Sequence, residues 1–114
     1  MANRGRNEQV VSVVLGVKVM ERHYSIIQAD TEYCYECGRY GTEEHHIFYG
    51  TGNRKLSTKY HCLAYLCYNH HRGKMGVHNG NRELDMKLKQ TAQRRFQEIY
   101  PQVEFLAVFG RNYL

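Results

Sequence analysis

The chain has no long apolar run, and neither a membrane-spanning helix nor a secretory signal is expected from its sequence. Its longest apolar run, residues 10–19, is broken by Ser12, Gly16 and Lys18 and is far too short to span a bilayer. No small-residue cleavage pattern follows that run, as a secretory signal would require. Internal repeats and low-complexity tracts are also absent. Acidic residues are outnumbered, 11 against 16 Lys and Arg, for a formal net charge of +5. That excess favours a polyanionic partner, nucleic acid before others. At 114 residues the chain is expected to form one domain with a modest core, placed in a reducing cytoplasm. There, its four cysteines suit a metal site or redox work better than disulfides.

What is present concentrates between Cys34 and His78. Cys34-Tyr35-Glu36-Cys37-Gly38 reads as a metal-binding knuckle, because two thiolates on one turn chelate one ion and Gly38 lets the backbone fold back. A thioredoxin-like redox motif would open a helix here, whereas Gly38-Arg39-Tyr40-Gly41 predicts a turn. The second half-site is Cys67-x-x-His70, which completes a Cys3His set suited to tetrahedral Zn2+. Cys62 is out of register with both halves and reads as a core residue. Between the half-sites lies Glu43-Glu44-His45-His46. Adjacent histidines on a strand point to opposite faces, so they can serve a metal and a reacting group separately. The chain thus predicts two different metals, one structural and one catalytic.

The elements around these motifs follow from patterning. Residues 1–9 are polar and predicted to be poorly ordered, and the valine-rich segment after them suits a strand. Residues 1–19 read either as a disordered extension upstream of a domain spanning 20–114 or as an edge or dimerising strand. Residues 49–60 predict a glycine-led basic loop whose Arg54, Lys55 and Lys59 are of the right type to hold phosphates. Residues 63–66 predict a second strand that turns at Cys67, and 73–80 a loop or broken short helix. Asn81 is placed to cap an amphipathic helix carrying Leu84, Leu88, Ala92, Phe96 and Ile99 on one face, with Pro101 after its end. A short terminal helix within 103–109 would close the core.

In order and spacing, the Cys-x-x-Cys knuckle, His45-His46, the basic loop, the apolar strand, Cys67-x-x-His70-His71 and the helix resemble an HNH endonuclease of the ββα-metal (His-Me finger) group. The likeness covers roughly residues 20 to 114 and is greatest to small phage-type members. It implies an α+β, zinc-stapled ββα-metal domain, bacterial or phage-encoded, that hydrolyses phosphodiester bonds in DNA with one catalytic divalent ion (Mg2+, Mn2+, Ni2+ or Zn2+). Cys34, Cys37, Cys67 and His70 would bind structural Zn2+. His45, where many members have Asp, would ligate the catalytic ion together with His71 and His78, and His46 would be the general base. Arg54, Lys55, Lys59, Arg72 and Lys74 would neutralise DNA phosphates, and a protein partner could direct cleavage. The family's middle Asn has no match: Asn53 falls too early, and His61 and Cys62 occupy its neighbourhood. The competing expectation is a zinc-knuckle nucleic-acid-binding module without catalysis.

Overall fold

Four residues with no polar alternation set the frame. Leu63–Leu66 (strand β4) is buried at every position, and such a strand forms only where both its faces are covered. The computed structural model describes the backbone of residues 10–15 and 18–114, and side chains from Arg22 onward. Two antiparallel pairs occur among them. Strand β1 (Val10–Leu15) pairs with β2 (Lys18–His23), in the register Val10 to His23 through Leu15 to Lys18. Glu43–His46 (β3) pairs with β4, His45 opposite Ala64 and His46 opposite Leu63. The expectation that residues 1–9 are poorly ordered lies outside the described residues. Strand β2 runs without a break through position 20, where the domain was expected to begin.

The connection from β3 to β4 differs from its expected form. Only its first part is a glycine-led loop, ending at Gly52, whose φ of 81° is a left-handed conformation that favours glycine. Residues Asn53–Lys59 then form a helix, α1. The helix is held from inside by buried Ser57, whose hydroxyl accepts from the Phe48 amide at 3.0 Å and donates to the Phe48 carbonyl at 2.7 Å. This explains why patterning missed it. Leu56 is its single large apolar residue, so no helical period exists to read, and a tertiary hydrogen bond replaces the usual apolar stripe.

The remaining elements are Tyr68–His71 (α2), a 3-10 turn at Val77–Asn79, Arg82–Ile99 (α3) and Phe105–Phe109 (α4). Asn81 caps α3 as expected, its side-chain oxygen accepting from the Leu84 amide at 3.1 Å. Leu84, Leu88, Ala92 and Phe96 of α3 are buried and join Ile26, Ile47, Phe48, Cys62 and Leu66 in one core. Helix α4 closes it: Phe109 lies 4.5 Å from Phe48 and Phe105 lies 5.3 Å from Phe96, ring centre to ring centre. Cys62 is fully buried, and burial pushes its thiol up to about 12, as fits a core cysteine. The architecture is a small α+β domain. No described helix is long and apolar enough to cross a membrane.

Candidate metal centres

The knuckle is built by turn chemistry. The Cys34 carbonyl accepts from the Gly38 amide at 2.9 Å, and the Cys34 amide donates to the Arg39 carbonyl at 2.8 Å. Gly38 sits at φ 79°, so a side chain there would be strained. A turn, not a helix, follows the first cysteine, which removes the backbone context of a redox motif. Cys67 precedes α2 and His70 lies within it, and these two close against the turn. The four ligand atoms all lie within 4.8 Å of one another. Cys37 Sγ is 3.8 Å from Cys67 Sγ, and His70 Nδ1 is 3.5 Å from Cys67 Sγ and 3.9 Å from Cys34 Sγ. A tetrahedron with metal bonds of about 2.0–2.3 Å has edges of roughly 3.3–3.8 Å, so the cluster matches one ion. None of the four cysteines is in a disulfide. Burial pushes the Cys34 thiol up, yet the amides of Cys67, Cys37 and Glu36 outweigh it and lower the net value. Cys37 accepts from the Arg39 amide, which favours its thiolate, but burial and the adjacent thiols of Cys34 and Cys67 raise it overall. A cation would relieve that conflict, because it favours thiolate at every cysteine it touches. These residues can hold a metal.

A second cluster forms on the other side of α2. His45, His71 and His78 place one ring nitrogen each within a common 4.8 Å, and their ring centres are 4.7–5.2 Å apart. His45 and His71 are buried and His78 is exposed. Neither ring nitrogen of His45 has a hydrogen-bond partner. Burial first, then the neighbouring imidazoles, pushes His45 down to about 3, so the ring is neutral and carries an unused lone pair. Leaving a buried polar atom unpaired costs about 1–3 kcal/mol, and a bound cation removes that cost. The donor set fits a divalent ion.

Glu43 completes the second cluster from behind. It shares a strand face with His45 and accepts from His71 Nδ1–H at 2.7 Å, which leaves Nε2 of His71 as the lone pair for a ligand. The same carboxylate is gripped by Arg72, at 3.0 Å from Nε and 2.6 Å from the terminal nitrogen. Arg72, and then His71, hold the Glu43 carboxyl down at about 2. Glu43→Ala is expected to weaken divalent-ion binding at the histidine cluster by about 10- to 100-fold, as loss of a hydrogen bond behind a ligand generally does. Titration calorimetry checks this, with the metal content of the cysteine cluster unchanged. Equal affinity would show that Glu43 does not orient His71.

Glu44 and His46 leave β3 on the opposite face, as alternation requires. His46 Nε2 lies 3.1 Å from Thr58 Oγ1 and 3.7 Å from Glu44, which also contacts His23 Nδ1 at 3.3 Å. Burial lowers the His46 pKa; Glu44 opposes this and Arg54 adds to it. A cavity of about 410 Å³ brings His45, His46, His71 and His78 together with Glu44 and Arg54.

The structure therefore assembles all four histidines expected at the second centre, and of the basic residues only Arg54 lines its cavity. Lys55, Lys59 and Lys74 are exposed outside that lining. Arg72 is engaged by Glu43 instead of being free for a phosphate. Sequence reasoning passed over Glu43, Glu44 and Thr58, although an acidic doublet directly before His45-His46 was a visible signal. In the neighbourhood of the absent middle Asn, His61 stacks edge-on against Tyr24 and Cys62 enters the core. No protein-family model, curated protein or solved structure matches the chain.

Proposed function

We propose that this chain is a metal-dependent DNA endonuclease of the HNH type, with a zinc-stapled ββα-metal core. The observation that carries this is the convergence of His45, His71 and His78 on one point, with His46 beside them in the same cavity. A binding module needs the cysteine cluster alone and leaves that convergence without a purpose.

In this reading Cys34, Cys37, Cys67 and His70 hold structural Zn2+, and His45, His71 and His78 hold the catalytic divalent ion. When bound, that ion supplies Lewis-acid stabilisation of charge on the phosphate and leaving oxygens. Three neutral imidazoles favour Mn2+, Ni2+ or Zn2+ over Mg2+. His46 is the general base and removes a proton from the attacking water; its lowered pKa keeps it unprotonated at neutral pH. Arg54, at the cavity wall, binds the scissile phosphate, and Lys55, Lys59 and Lys74 neutralise flanking phosphates. Arg72 acts through Glu43 on the histidine cluster.

Supercoiled plasmid incubated with the purified chain and Mn2+ is expected to convert to nicked and then linear forms, and EDTA to stop the conversion. Binding should weaken with salt, log K falling against log salt by roughly 0.9 for each phosphate neutralised. A chain that retains zinc and binds DNA but leaves the plasmid intact under every divalent ion would be the binding module instead.

A further inference from the structure

The HNH resemblance leaves His46 without its usual partner, yet the ring is not unsupported. Its Nε2 faces two oxygens, the Thr58 hydroxyl at 3.1 Å and a Glu44 carboxylate oxygen at 3.7 Å. The Thr58 hydroxyl has its own outlet for a proton, the Arg54 carbonyl one turn earlier in α1, at 3.2 Å. Having donated there, Thr58 Oγ1 offers His46 a lone pair, so the shared hydrogen belongs to the imidazole. Glu44, an acceptor when ionised, favours the same arrangement. Among the described residues no other side chain hydrogen-bonds the His46 ring, and Nδ1 is left as its basic atom.

We propose that Thr58 is the positioning residue for His46, accepting a hydrogen bond from Nε2–H and so directing the basic Nδ1 lone pair to the reaction. The assignment of His46 as the base rests on the nuclease reading; the hydrogen bond and tautomer do not. Helix α1 acquires a role from this. It carries Arg54 to the cavity wall and, one turn later, supplies the oxygen that orients the base. Ser57, between them, anchors the helix to Phe48. The strand-to-strand connection thus replaces the absent Asn with a side chain from a short helix.

The test uses the full chain reconstituted with Zn2+ and nitrogen-15 labelled at histidine. At alkaline pH, where the ring is neutral, nitrogen shifts are expected to report His46 in the Nε2–H form, with a proton resonance protected from exchange. Thr58→Ser should keep both signatures. Thr58→Val, which preserves shape and removes the acceptor, should lose the protected resonance and move the shifts toward a mixture of tautomers. Plasmid nicking should fall about 10- to 100-fold in Thr58→Val and return in Thr58→Ser, less than loss of the base itself would cost. An Nδ1–H tautomer in the unsubstituted chain, or a Thr58→Val spectrum identical to it, overturns the proposal. So does full nicking by Thr58→Val. Should Thr58→Val fail to fold, the unsubstituted chain and Thr58→Ser still decide through the tautomer. If the unsubstituted chain cuts no plasmid, the nuclease reading fails and the spectra continue to judge the hydrogen bond by themselves.

Discussion

His46→Ala is expected to abolish plasmid nicking while both metal contents stay as they were. The expectation combines two facts. His46 leaves β3 on the face opposite His45, so its ring belongs to neither ligand cluster. It nevertheless lines the cavity into which the histidine cluster opens. Removing a general base generally costs about 10²- to 10⁴-fold in rate, which in a gel assay of fixed length reads as no cleavage. The ring is partly buried and its hydrogen bonds are few, so the alanine chain should unfold close to the temperature of the unsubstituted one. Metal analysis, thermal unfolding and the plasmid assay on one preparation separate the possibilities. Lost zinc would mean the substitution disturbed the fold, and undiminished cleavage would remove His46 from the chemistry. His45→Ala should differ in one respect: it loses cleavage together with divalent-ion binding, because it deletes a ligand.

Cys34→Ser is expected to lose the metal of the cysteine cluster and with it the folded state. That cluster joins two remote pieces of chain, the turn at 34–38 and Cys67 with α2, by four ligand atoms within 4.8 Å of one another. Apparent binding energies for structural zinc are about 10–16 kcal/mol, comparable to the whole stability of a small domain at roughly 5–15 kcal/mol. Losing most of the former therefore removes most of the latter. Circular dichroism and zinc analysis test this, with chelator treatment of the unsubstituted chain as the independent route to the same state. A soluble, folded and fully active Cys34→Ser protein would refute a structural role. The consequence reaches the other centre, because His70 and His71 are consecutive in α2. Unfolding the cysteine cluster releases the helix that presents His71 to His45.

Much of this arrangement was legible in the sequence. The two half-sites could be read because a chelating turn is local: two residues between thiolates and a following Gly38 are enough to specify it. Helix α3 could be read because 18 residues give the apolar period several turns in which to repeat, and Asn81 marks its start. Cys62 could be assigned to the core because it matched neither half-site. Helix α1 could not be read, since a short helix with Leu56 alone has no period and is stabilised by Ser57 bonding to Phe48. The role of Glu43 was equally hidden. Its partner His71 is 28 residues away, and an acidic residue before a histidine pair has no fixed meaning until the fold selects its neighbour. Arg72 was assigned to phosphate on charge alone, and that same carboxylate had claimed it.

Residue chemistry and spacing by themselves determined the donor types, the pairing of Cys-x-x-Cys with Cys-x-x-His, the strand carrying His45 and His46, and the amphipathic helix. Tertiary structure supplied the physical basis for the division of the histidines that the resemblance implied, by bringing each set of ligand atoms together. His70 and His71 differ in direction by about 100° around a helix, so one short helix can face two clusters at once. Which cluster each joins depends on what stands opposite, and β3 and the cysteine turn arrive there only by folding. The same holds for the atom of His46 that carries the proton. Sequence supplies an imidazole with two tautomers, and in the proposal above the Thr58 oxygen 3.1 Å from Nε2 selects between them.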